Sequence, residues 1–139
     1  MHLKATQGKE VVVKIANRIG VLANLAQYLA DRGINLLAVN AQVTGNEATI
    51  RLVTDDNLRA DDILREHGYN PHEEDVVLLS IPHKAGMLHR VSEILAEAMI
   101  DIREIYASAW EMEGNCMLVL HTNNDAQALV RFNEMRIGV

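Results

Sequence analysis

Asn17 stands three residues before Gly20, and an apolar pattern of helical period starts directly after it. A glycine at the mouth of a helix lets another group approach the backbone closely. The first-turn N–H groups of a helix have no intrahelical acceptors, and the dipole adds positive character, so that spot suits an anion. Arg18, Ile19, Val21 and Leu22 complete the segment. Asn17 adds an amide that both donates and accepts, and a second amide, Asn35, follows just beyond the far end of the helix. Further on, the chain presents a variant of the same set: His83, Lys84, Ala85, Gly86, Met87 and Leu88, with Asp101 in the place of Asn35. Asp101 suits an ammonium better than an amide does, and His83 and Lys84 suit a carboxylate or similar anion.

Each of these residues also has a plain structural reading. Gly20 and Gly86 fit tight strand-to-helix turns, Asn17 and Asn35 fit loop and cap hydrogen bonding, and His83 and Asp101 fit a solvated turn and strand end. Other chemistries find less support. His83, His89, His121 and Cys116 match no short metal-ligand spacing. Cys116 shares strand parity with Leu118 and Leu120 and reads as core, as do most of the methionines. The acidic group Asp55, Asp56, Asp61 and Asp62 reads as a solvated helix start. Tyr106 and Trp110 fall on the polar parity of their strand, which fits an exposed edge or a subunit interface. No nucleophile–base pair and no phosphate loop is present, and Arg18 alone does not make an acylphosphatase-like anion cradle. The sequence therefore reads as non-enzymatic, without catalytic residues, cofactor or metal.

The positioning elements emerge when the chain is laid on itself with a shift of 66 positions, the gap from Gly20 to Gly86. Val11–Gln42 then covers Val77–Ser108, with Val11/Val77, Ile15/Ile81, Leu22/Leu88, Leu29/Leu95, Ile34/Ile100 and Ala41/Ala107 identical. The period is too long for a solenoid, so two copies of a small domain are expected, 1–73 and 74–139. Val11–Ala16 and Val76–Ile81 read as buried strands. Apolar residues at spacings of three and four then mark helices, Val21 to Leu29 and Met87 to Met99. Gly33 suits a left-handed helix cap, and Met99 at the same place predicts a different ending in copy two. Apolar parity switches after Leu36 and again after Ile102, which predicts a bulge in the second strand of each copy. Thr44–Glu47 is a hairpin turn, and its counterpart near Glu111–Asn115 is longer. The third strands, Ala48–Thr54 and Cys116–Thr122, run into "TDDN" and "TNND", which read as helix N-caps. Second helices are expected near Leu58–His67 and Ala126–Asn133, and fourth strands near Tyr69–His72 and Met135–Val139. Twice over, the order is strand, helix, strand, strand, helix, strand. The fold class is α+β: two tandem ferredoxin-like βαββαβ domains, each an antiparallel sheet with its helices on one face.

Composition narrows the partners. Hydrophobic residues are 49% and aromatics 4%, so the core rests on Val, Ile, Leu, Ala and Met. A net charge of -6 and strands without stacking aromatics argue against nucleic acid and anionic membranes. The single Cys116 allows no internal disulfide, and neither a signal peptide nor a spanning apolar run is evident, so a soluble cytoplasmic protein is expected. The start "MHLKATQGKE" reads as a frayed polar segment.

"ANRIGVLANLAQYLADRGINLLAVNAQ" resembles the opening of an ACT domain, with its Asn, two residues, Gly and apolar helix start, and its Gly-Ile-Asn step into the second strand. The second copy, "PHKAGMLHRVSEILAEAMIDI", resembles it again, and the likeness covers nearly the whole chain. The resemblance implies a regulatory protein that binds a free amino acid at ACT domain interfaces, as a homodimer, and modulates an enzyme of amino-acid metabolism. In the ACT domain of phosphoglycerate dehydrogenase two Asn side chains hold the serine effector between domains. By position they correspond to Asn17 and Asn35, and a third contact falls at Ile15, whose side chain makes no hydrogen bond. Asn17 and Asn35 need not meet within one domain; an interface between domains brings such residues together. The alternative is a non-catalytic subunit of a biosynthetic enzyme, of the acetolactate synthase kind, without a ligand of its own.

Overall fold

The computed structural model describes residues 3–108 and 114–135. In chain order the elements are β1 (Lys4–Ala16), α1 (Val21–Asp31), β2 (Leu36–Thr44), β3 (Glu47–Thr54), α2 (Asn57–Glu66), β4 (His72–Pro82), α3 (Met87–Glu97), β5 (Ile102–Ala107), β6 (Asn115–Thr122) and α4 (Asp125–Glu134). The chain divides into two compact units. Residues 9–74 form the first; residues 1–8 and 75–139 form the second.

In the first unit the strand order is β2-β3-β1, antiparallel throughout, with Val11 opposite Leu52 and Val39 also opposite Leu52. Its core gathers Val11, Val13, Leu25, Leu29, Ile50, Leu52, Ile63 and Leu64 between sheet and helices. Val12 and Val53, on the opposite parity, are buried as well, which explains the unbroken valine run of Val11–Val13. The second unit repeats the plan with β4-β6-β5 and a core around Val77, Leu79, Val91, Leu95, Leu118, Leu120 and Phe132.

Both expected bulges are present. Leu36 faces Thr54 and Ala38 faces Val53, so Leu37 is the extra residue; Ile102 faces Thr122 and Glu104 faces His121, so Arg103 is its counterpart. The N-caps also recur. Asp56 accepts the Arg59 N–H at 3.1 Å, and Asn124 accepts the Gln127 N–H at 3.1 Å.

Four expectations need correction. The N-terminal segment is strand, not frayed: Leu3 and Ala5 are buried in the second unit's core. The Asn133 side chain accepts the Ala5 N–H and donates to the Ala5 carbonyl, each at 3.1 Å. Tyr69–Pro71 is not strand; β4 starts at His72. The fourth strand expected at Met135–Val139 lies outside the described residues beyond Met135, as does most of the Glu111–Asn115 turn, and Trp110 with it. Met99 takes a left-handed conformation with φ 59°, as Gly33 does with φ 75°, so both helices end alike. The N–H of Gly33 reaches the Ala30 carbonyl and that of Met99 reaches Ala96, at 3.0 Å in each case. Finally, the Asp55–Asp62 group is not simply solvated. Asp55 Oδ1 accepts the Asn35 N–H at 3.0 Å, and Asp61 is hydrogen-bonded to Glu73.

Candidate functional site

The β1–α1 turn of the first unit is held by backbone bonds. The Asn17 N–H donates to the Asn46 carbonyl at 2.7 Å, which ties the turn to the β2–β3 hairpin. Gly20 is the N-cap of α1 with φ 87°, a left-handed conformation that leaves no side chain to cap the helix. A Cβ at Gly20 would meet nothing within 4 Å, so its backbone faces open space.

That space is a cavity of about 250 Å³. Asn17, Arg18, Gly20, Val21 and Leu22 line it from the turn, and Ala23 from the next position of α1. The other wall is the hairpin: Ala41 and Val43 on β2 with Ala48 and Ile50 on β3 from its helix-side face, and Gln42 between them on the opposite parity. The mouth carries the first turn of α1, where the Val21 N–H is taken by the Arg18 carbonyl at 3.1 Å, together with an amide and a guanidinium, while the floor is mainly aliphatic. Such a site suits a small molecule with a carboxylate at one end. Farther along, Tyr28 stacks on His67 with ring centroids 3.8 Å apart and meets Tyr69 edge-on at 6.2 Å. Burial, then the nearby Tyr28, push the Tyr69 phenol up, and Arg18 opposes this.

Asn35 is not part of this cavity. It lies at the far end of β2, where its N–H meets Asp55 Oδ1. Nine strand residues separate the two ends, a span of roughly 30 Å. Ile19 is fully exposed beside the cavity. In the second unit, His83, Lys84, Ala85 and Gly86 form the equivalent exposed turn, with the His83 N–H on the Gly114 carbonyl at 2.9 Å and Gly86 at φ 90°. Leu88 is exposed, and Met87 is buried. Asp101 is held like Asn35, its N–H on Asn123 Oδ1 at 2.9 Å, and its carboxylate pairs with Arg103 Nε at 2.8 Å.

Sequence reasoning missed the hairpin wall. The parity switch at Leu37 was its signal: beyond the bulge Val39, Ala41 and Val43 turn to the helix side opposite Leu52, Ile50 and Ala48. Yet Val39 and Val43 remain exposed on this terminal strand, as does Leu22.

Two βαββ-based units, each with a helix opened by a left-handed glycine, define an ACT-type pair. The chain belongs to the ACT domain pair family, whose sequence model matches residues 7–136. Among solved structures it is similar to a protein of Bacteroides thetaiotaomicron, at 22% identity and TM-score 0.84, covering 94% of this chain and 89% of that one. It is also similar to the ligand-free regulatory subunit of aspartate kinase from Thermus thermophilus, at 14% identity and TM-score 0.66, covering 95% of each chain. The regulatory subunit of aspartate kinase from Thermus flavus matches at 17% identity and TM-score 0.60, over 94% of each chain. Comparison with curated protein sequences returns no match. Among the described residues, no helix is long and apolar enough to cross a membrane.

Proposed function

We propose that the protein is a non-catalytic regulatory module that binds a free amino acid at the Asn17–Leu22 cavity and passes its occupancy to a partner enzyme. The observation that carries this reading is the cavity itself: helix N–H donors, Asn17 and Arg18 at the mouth above an aliphatic floor. The carboxylate of an amino acid fits the helix mouth, and its ammonium fits an amide oxygen. Membership of the ACT domain pair family supports it, and the fold shared with aspartate kinase regulatory subunits supports an enzyme as partner.

Asn35 joins the site through a second copy of the chain. β2 is the terminal strand, and Ile19, Leu22, Val39 and Val43 expose apolar surface beside its open edge. Antiparallel pairing of two β2 strands about Asn40 sets Asn35 of the second copy beside the hairpin that Asn17 grips. The working form is then a homodimer, with His83 to Leu88 and Asp101 as the corresponding positions of the second copy of the repeat.

A thermal-shift panel of the amino acids, on protein unfolded and refolded to strip any ligand, tests this. Ligand at about one hundred times Kd adds about 2.7 kcal/mol, a rise of roughly 5–10 °C for a chain of this size. No rise with any amino acid overturns the reading. Co-purification of an enzyme from the native host tests the partner.

A further inference from the structure

The two copies offer the same turn, but not the same room behind it. Val21 opens α1 and is only partly buried at the edge of the first unit's core, leaving the cavity open beside it. Met87 holds the same position on α3 and is 5% exposed, within the cluster that contains Cys116 and Leu118. Those two residues replace Ala48 and Ile50 of the cavity floor. An unbranched Met reaches farther than Val and fills irregular gaps. Cys116 adds a sulfur where Ala48 leaves space.

We infer that the site of the first unit takes an amino acid with a neutral aliphatic side chain, and that Met87 plugs its counterpart in the second unit. This deepens the proposed function and rests on it. The cavity of about 250 Å³ is below the roughly 300–1,000 Å³ of drug-sized sites and equals the liquid volume of about eight waters. Valine and leucine, with about eight or nine heavy atoms, match that size. The floor of Val21, Ala41, Val43, Ala48 and Ile50 offers dispersion contacts, and the hydrogen-bonding side chains of the lining are Asn17 and Arg18 at the mouth and Gln42, whose strand parity is opposite to that of Ala41 and Val43. No carboxylate is among the lining residues, so a lysine or arginine ligand finds no counter-charge. An aspartate ligand would bury its second carboxylate against methyl groups, at a desolvation cost without return.

Isothermal titration of the intact protein with valine, leucine, isoleucine, threonine, lysine and aspartate tests the inference. One aliphatic amino acid is expected to bind at least roughly tenfold more tightly than threonine, lysine or aspartate, the discrimination that apolar pockets give per methyl-sized change. The expected stoichiometry is one ligand per chain. Val21→Met, which copies the plug, is expected to weaken binding by roughly tenfold or more. Circular dichroism checks that the variant folds, and the wild-type series stands without it. Tighter binding of lysine, aspartate or threonine overturns this inference but leaves the regulatory reading standing. Two ligands per chain, or unchanged affinity in folded Val21→Met, likewise overturns it. Silence from every amino acid overturns the parent reading as well.

Discussion

The two units reach one backbone plan with different side chains, and the contrast is sharpest where the first unit uses charge. Glu10 is completely buried, and Arg51 Nη1 sits 2.6 Å from both Glu10 Oε1 and Glu74 Oε2. The corresponding strand positions in the second unit are Val76 and Val119, each fully buried. An ion pair and a valine pair thus serve equivalent sites. The valine solution needs only burial. The charged solution depends on every partner being present, because desolvation of an unpaired carboxylate is costly. The lesson is that the repeat conserves which positions are buried, while the chemistry at those positions is free to change.

The largest expected effect comes from breaking the charged solution. Arg51→Ala leaves Glu10 buried without its guanidinium and should cost about 3–5 kcal/mol, read from urea unfolding. Copying the second unit with Glu10→Val and Arg51→Val together should cost far less than Arg51→Ala alone. If the double variant is the less stable of the two, the equivalence between ion pair and valine pair is wrong.

The same contrast explains how much was legible beforehand. Wherever structure is set by local chemistry, the residues announce it. Thr54 and Thr122 each bond the side chain three positions on, so "TDDN" and "TNND" read correctly as caps. The bulges at Leu37 and Arg103 are written in apolar parity. The N-terminal strand was hidden because its anchor is distant: Asn133 grips Ala5 across 128 positions of sequence. Its one local signal, Leu3 and Ala5 alternating with Lys4 and Thr6, is too short to outweigh the polar residues that follow. For the candidate site, the turn from Asn17 to Leu22 was readable from residue types. The wall of Ala41, Val43, Ala48 and Ile50 was signalled only by the parity switch at Leu37; which turn it faces depends on strand pairing between residues far apart in sequence.

A smaller effect separates the two helix ends. Gly33 and Met99 adopt the same left-handed cap, but a side chain there costs roughly 1–2 kcal/mol, offset in part by the greater chain entropy that glycine loses on folding. Met99 is also 88% exposed, so it recovers little by burial. Met99→Gly should therefore stabilise the protein by about 1 kcal/mol, and Gly33→Met should destabilise it by a similar amount. Paired urea titrations measure both. Stabilisation absent in Met99→Gly would show that Met99 contributes contacts that its exposure conceals.

The smallest effect is a dependence on pH that α2 of the first unit carries. Asp61 on α2 has its carboxyl pushed up to about 6 by burial, with the hydrogen bond and negative charge of Glu73 adding to the shift and Arg65 opposing it. One of its oxygens, Oδ1, is buried without a partner. The matching position on α4 is Leu129, packed against the second unit's core. Between the ordinary value of 3.8 and about 6, the folded chain holds a proton at Asp61 that the unfolded chain has released. Stability linked to this group is therefore greatest below pH 4, declines as pH rises through that window, and levels off above about 6. Other groups titrate in the same range, so the informative quantity is the difference between wild type and Asp61→Asn, which keeps the shape and removes the charge. Urea midpoints from pH 4 to 7 should converge at the acidic end, with Asp61→Asn the more stable at pH 7. The opposite order at pH 7 would mean that ionised Asp61 is held by its pairing with Arg65, and that burial beside Glu73 is not the dominant influence on it.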